Sequence, residues 1–125
     1  MKLIDTTVAV DHLRRVPSAV NLLTDLIEKD EEVLASELVR FELLAGVRDE
    51  EIGVVEEFCS ALGWIPVTET LTRRAGRLAR DYRPSHSGID DVDYLIAATA
   101  IVIDADLMTT NVRHFPMFEG LEPPY

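Results

Sequence analysis

The chain has 125 residues, enough for one domain around a single hydrophobic core and too few for two. It is 47% hydrophobic and 28% charged, and twelve Lys and Arg against 23 Asp and Glu leave a net charge of −11 at neutral pH. That balance excludes a nucleic-acid binder that works through a broadly basic surface, so an anionic substrate must be met by a local patch or through metal ions.

In chain order, the apolar run KLI at 2–4 followed by an acid and two threonines predicts a strand ending at Asp5, with TVAV at 7–10 as a possible continuation and a helix starting close by. Pro17 and Ser18 open a helix through about Glu28, because Val20, Leu23, Leu26 and Ile27 recur at helical spacing. KDEE at 29–32 reads as a solvated turn, and Val33 and Leu34 as a short strand. Ser36 is a natural cap for a helix from Glu37 to about Val47, with Gly46 near its end. Asp49 begins another helix that carries Ile52, Val55, Phe58 and Leu62 inward and stops at Gly63.

WIPV at 64–67 reads as a strand, and Thr70 to Arg83 as a helix with Leu71, Ala75, Leu78 and Tyr82 on its apolar side. RPSHSG at 83–88 is a loop. The segment from Asp90 to Ile103 is apolar nearly all round after its first turn, the mark of a helix buried on most sides. DLMTT at 106–110 predicts a strand, followed by a polar turn at 111–114. Strands alternating with helices imply one α/β domain over 1–125, with a parallel sheet covered on both faces and its chemistry at the carboxyl ends of the strands.

Several acids stand where burial is expected. Glu42 falls on the helix face shared with Leu38, Val39 and Ala45, where a carboxylate needs either a metal or an arginine from another segment. Asp90, Asp91 and Asp93 crowd the first turn of the most apolar helix; one is explained as a cap, but three like charges repel unless a cation lies among them. Asp5 ends the first strand and Asn111 follows the last, although Asn is also an ordinary turn residue. Such an oxygen-only set favours Mg²⁺ or Mn²⁺, which can acidify water and neutralise a phosphodiester transition state.

Other chemistries fail on particular residues. His12, His86 and His114 lack zinc-ligand spacing, and the single cysteine, Cys59, has no disulfide or CxxC partner. An EF-hand loop begun at Asp104 meets Thr109 where glycine belongs and Phe115 where the bidentate Glu should be. A haloacid-dehalogenase-type phosphatase needs a second acid two residues after Asp5, where Thr7 stands. No P-loop, dinucleotide fingerprint or nucleophile elbow is present. No run approaches the ~18 apolar residues of a membrane span, and Asp5 interrupts the position of a signal peptide's apolar core, so a cytoplasmic, membrane-free protein is expected.

LIDTTV at 3–8, SELVRFELLAGV at 36–47, GIDDVDYLIAATA at 88–100 and MTTNVRHFPMFEGL at 108–121 together resemble the PIN-domain ribonucleases, and within them the VapC-type toxins of bacterial toxin–antitoxin pairs. The resemblance spans nearly the whole chain in the family's order. It implies a three-layer PIN-like sandwich with a parallel sheet of about four to five strands, and a Mg²⁺-dependent endoribonuclease site in which Mn²⁺ can substitute. The family's acids fall on Asp5, Glu42 and Asp93, as metal ligands and catalytic residues, and its fourth site on Asn111, where many relatives carry Asp. Asp90 is the candidate to supply the missing charge.

In that scheme Asp5 and Asp93 hold the metal, Glu42 positions or deprotonates water, Asn111 offers its amide oxygen, and Thr110 donates a hydrogen bond nearby. The resemblance further implies cleavage of structured RNA such as tRNA or rRNA, a homodimer, and inhibition by a cognate VapB-like antitoxin in a heterotetramer or larger complex. The series Arg73, Arg74, Arg77, Arg80 and Arg83 reads either as a track for an RNA backbone or as solvated helix charge. A different class of function also fits the sequence: a catalytically weak PIN-like interaction module, with Asn111 as the sign of a decayed site.

Overall fold

The computed structural model describes residues 1–125. Its sheet comprises β1 (Lys2–Ile4), β2 (Val33–Ser36), β3 (Gly63–Ile65) and β4 (Asp106–Met108), all parallel, in the order β3-β2-β1-β4. Six helices connect them: α1 (Thr6–Leu13), α2 (Pro17–Glu28), α3 (Glu37–Gly46), α4 (Ile52–Ser60), α5 (Glu69–Tyr82) and α6 (Asp91–Ile103).

The strand order fixes where the chemistry can sit. From β1 the chain steps to β2 and β3 on one side, then returns through α5 and α6 to lay β4 on β1's other side. Right-handed crossovers place α1–α4 on one face and α5 and α6 on the other. Accordingly α1 touches α2 and α3, while α5 packs along α6. The reversal leaves a crevice beyond the carboxyl ends of β1 and β4, the position where open parallel sheets receive ligands.

Burial explains why short strands hold. Leu3 and Ile4 of β1 and Ala35 of β2 are fully buried, and β2 is buried at all four positions. They join a core cluster of 23 residues to which α6 contributes Tyr94, Ile96, Ala97, Ala98 and Ala100. The all-round apolar character of α6 is thus matched by burial, and the small alanines let the helix lie close to its neighbours. Thr99, also buried, satisfies its hydroxyl by donating to the Leu95 carbonyl at 2.7 Å.

Several boundaries differ from expectation. Residues 7–10 are helical, because the Asp5 carboxylate accepts the Thr6 N–H at 2.8 Å and caps α1 immediately after β1. Helix capping overrides the β-branched Thr–Thr–Val run. Residues 49–51 form a 3₁₀ turn before α4, and Ile52 is 40% exposed rather than inward. β3 starts at Gly63 and stops before Pro66, whose missing N–H cannot extend the ladder, and Val67 points to solvent. β4 ends at Met108, which frees Thr109, Thr110 and Asn111 to turn into the crevice.

No helix is long and apolar enough to cross a membrane. Cys59 is buried, and burial pushes its thiol pKa up, away from nucleophilic chemistry.

Candidate active site

A pocket of about 410 Å³ opens at the crevice and is lined by Asp5, Glu42, Asp90, Asp93, Asn111 and His114, with Thr6, Thr7, Thr110 and Arg14 among its other walls. Four separate pieces of chain supply these groups: the end of β1, the middle of α3, the first turn of α6, and the turn after β4.

Asp5 is held by both strands. Its backbone N–H donates to the Met108 carbonyl at 2.9 Å, which extends the β1–β4 ladder by one step. Its Oδ2 accepts from the Thr109 hydroxyl at 2.7 Å and, more weakly, from Thr7 at 3.5 Å. Thr109 is fully buried, and its oxygen also accepts the Asn111 N–H at 3.0 Å. The Thr110 N–H donates to the Thr7 hydroxyl at 3.2 Å. The turn after β4 is therefore pinned to the start of α1 through three threonines. Asp5 is 4% exposed, and that burial raises its pKa; the Thr109, Thr6 and Thr7 hydrogen bonds oppose the shift, and the charge of Asp90 adds to it.

Asp90 and Asp93 make a reciprocal capping box on α6: Asp93 N–H donates to Asp90 Oδ1 at 3.0 Å, and Asp90 N–H to Asp93 Oδ2 at 3.3 Å. Gly88, with φ +86°, sets the entry of the chain into this turn, a conformation that a side chain would strain. Asp93 is 8% exposed, and its pKa is pushed up to about 6, first by burial and then by the neighbouring charge of Asp90. His114 works the other way. Its Nδ1 lies 2.8 Å from Asp93 Oδ2 and 2.9 Å from the Asn111 amide nitrogen. A proton on Nδ1 serves the carboxylate, whereas an amide donating to that nitrogen needs the other tautomer, so the two contacts are alternatives on one imidazole.

Glu42 is half-buried and accepts the Thr6 hydroxyl on Oε1 at 2.7 Å. The alternative of an arginine partner from another segment is not realised, since Arg14 of α1 lines the same pocket without an ion pair to Glu42 and the side chain's partner is Thr6. The expected apolar setting is also wetter than foreseen, with Ala45 exposed beside it. Asp91 departs furthest from the sequence reading: it leaves the pocket, turns to the opposite flank of α6, and pairs with Arg83. The three acids of this turn thus never share one space.

The sequence had not singled out Thr6, Thr7, Thr109 and His114 for this site. Two threonines directly after a strand-ending acid were the available signal. Thr109 and His114 became neighbours of the acids only because β4 pairs with β1.

No Lys or Arg forms an ion pair with Asp5, Glu42, Asp90 or Asp93, and the groups that bond them directly are hydroxyls, backbone N–H groups and His114, with Arg14 on the same pocket's wall but unpaired to them. Buried carboxylates in that condition favour a cation. No three Asp, Glu, His or Cys side chains stand close enough together to enclose a metal ion among them. The donor set, all hard oxygens at an open pocket, fits an ion such as Mg²⁺, which takes one or two carboxylates and completes its shell with water and substrate phosphate.

The PIN-domain family model matches residues 2–118. The chain is 70% identical, over the full length of both, to Ribonuclease VapC19 of Mycobacterium tuberculosis strain H37Rv. It is 44% identical to Ribonuclease VapC10 of the same species over 125 residues, covering 93% of that protein. Among solved structures, VapBC2 of Rickettsia felis, bound to a DNA fragment from its promoter, superposes with a TM-score of 0.82 at 27% identity, covering 96% of this chain and 94% of that one.

Proposed function

The chain belongs to the PIN-domain family, in its VapC group, and from that premise we propose that it is the toxin of a type II toxin–antitoxin pair, an endoribonuclease that hydrolyses phosphodiester bonds in structured RNA such as tRNA or rRNA with Mg²⁺ or Mn²⁺. One observation carries the reading: two buried carboxylates from different elements, Asp5 and Asp93, face one pocket and neither is ion-paired to a lysine or arginine.

In this reading Asp5 and Asp93 would hold the ion directly, Glu42 would reach it through water, and Asp90 would supply the charge that is missing at Asn111, where many relatives carry Asp. A bound divalent cation supplies positive charge to the phosphoryl transition state and lowers the pKa of water. The rest falls to the chain's own side chains. Thr109 and Thr7 fix which oxygens Asp5 turns to the pocket. His114 orients Asp93. Glu42, steadied by Thr6, is placed to take a proton from the attacking water. Asn111 contributes an amide oxygen for a ligand or a water.

The named relatives and the Rickettsia complex support a VapB-like antitoxin as partner. An acidic pocket is complementary to a basic inhibitor segment. A homodimer, and a heterotetramer or larger assembly with antitoxin, follow from the same reading. Phe41, 65% exposed on α3, is the sort of side chain that a second subunit would cover.

The test is incubation of the antitoxin-free chain with tRNA and rRNA in Mg²⁺ or Mn²⁺, with a chelator control. Discrete products that require metal are expected. A folded protein that cleaves nothing and binds no metal would replace this reading with that of an interaction module.

A further inference from the structure

The first turn of α6 separates two pockets of opposite character. Asp90 and Asp93 face the acidic site. On the other flank Asp91 and Tyr94 face a groove of about 590 Å³ between α5 and α6, whose α5 wall is formed by Thr72, Gly76, Arg80 and Arg83. Those four positions follow one stripe along the helix, so the groove runs parallel to it.

The groove carries Arg80 and Arg83 against Asp91, a local excess of one positive charge in a strongly anionic chain. Six of the twelve Lys and Arg side chains are held in ion pairs. Of the others, Arg74, Arg77 and Arg80 all lie on α5, which carries four arginines against two acids. An exposed helix at net charge −11 would ordinarily interleave acids at i,i+4 to pair with them; here Arg73 pairs with Glu69 and Asp81 follows Arg77 by four residues, whereas Arg74 and Arg80 have no acid at either position.

The floor is shaped for contact. Gly76 leaves room, since a Cβ built there meets nothing within 4 Å. The Arg83 guanidinium lies 5.5 Å from the Tyr94 ring centroid and is tethered to Asp91 through one of its nitrogens, leaving its other donors unbonded. Tyr94 is 2% exposed, and its hydroxyl has no hydrogen-bond partner.

We propose that this groove is the track for the RNA strand beyond the cleavage site, with Arg80 and Arg83 binding phosphates that flank the one held at the acidic pocket. The inference rests on the nuclease reading above. The wall between the two pockets is one helix, ~10 Å across with side chains, a span that a few nucleotides of one strand bridge. An acidic enzyme thereby gains local affinity for a polyanion while its cation-binding pocket stays acidic. A basic antitoxin segment, suited to the acids, is ill suited to this arginine face.

The test measures binding of a heteropolymeric single-stranded RNA in chelator, where no cleavage occurs, across a salt series, and separately measures metal-dependent cleavage. Arg80→Glu and Gly76→Glu place a carboxylate in the groove without touching the acidic pocket, and Gly76→Ala is the uncharged control, which should favour the helix. Each glutamate is expected to weaken RNA binding about tenfold or more, and Arg80→Ala to reduce the slope of log affinity against log salt by about 0.7–1. Cleavage of long RNA should show raised KM, while a short chimeric substrate confined to the acidic pocket is cut at the wild-type rate. Unchanged RNA affinity in both folded glutamate variants overturns the proposal, as does loss of antitoxin binding with RNA binding intact. Failure of the wild type to cleave any RNA, with groove-dependent binding retained, overturns the nuclease reading alone.

Discussion

The two flanks of α6's first turn solve opposite electrostatic problems with residues adjacent in sequence. On one side Asp93 is buried, shares its neighbourhood with Asp90, and meets only a histidine. On the other, Asp91 is exposed and neutralised by Arg83. The structural arginine pairing expected of any acid is thus present where the acid is cheap to expose and missing where it is costly. Charge left uncompensated in a buried, open pocket marks a site that binds something positive.

Asp5→Asn is the strongest way to break this contrast. RNA cleavage should fall by about 10²–10³-fold, the range seen when one electrostatic contact to a transition state is removed, with folding intact because the amide oxygen still accepts the Thr6 N–H and the amide nitrogen donates to the Thr109 hydroxyl in place of Oδ2. Wild-type cleavage by the folded variant would remove Asp5 from the mechanism.

Metal binding comes next. Mn²⁺ at about 100 times its dissociation constant should stabilise the folded chain by about 2.7 kcal/mol, read as a rise of several degrees in Tm. The rise should vanish in Asp93→Asn and persist in Asp91→Asn. An equal response of all three proteins would mean that the two flanks do not differ in the way described.

The third prediction concerns pH without metal. Asp93 titrates at about 6 in the folded chain against an ordinary value of 3.8, so the folded state holds this proton more tightly than the unfolded one. Stability therefore falls as pH rises from about 4 to about 6, by on the order of 1–3 kcal/mol. Denaturant titrations across that interval should show a shallower fall for Asp93→Asn. A wild-type stability that rises through the same interval by virtue of this residue would contradict the desolvated environment assigned to it.

The smallest effect belongs to Asp91→Asn. Losing an exposed ion pair costs about 0–1 kcal/mol, cleavage at the acidic pocket should be unaltered, and RNA affinity should rise slightly as Arg83 is released. A large loss of activity would return Asp91 to the catalytic side.

Much of the architecture could be read locally. Pro17, Ser36 and the Asp90 turn mark the starts of α2, α3 and α6 within a residue, because caps and N1 prolines act through the nearest backbone groups. Residues 7–10 were ambiguous for the same reason: their β-branched composition favours a strand, and only the capping carboxylate of Asp5 decides for helix. Glu42 and Asp93 stand out in the sequence as acids where burial is expected, Asp5 and Asn111 as polar residues at strand ends, and the fold brings all four to one pocket.

The sequence by itself determined the helix starts, the parallel alternation of strands and helices, and the identity of the acids, since each depends on side-chain chemistry within a few residues. Only the tertiary structure decided that β4 lies against β1, which delivers Thr109, Asn111 and His114 to the acids from more than a hundred and from about twenty residues away. It alone also split Asp91 from Asp90 and Asp93, because the direction in which a carboxylate points from a helix turn is set by what packs on each flank, and the partner that draws Asp91 aside stands on another helix's end.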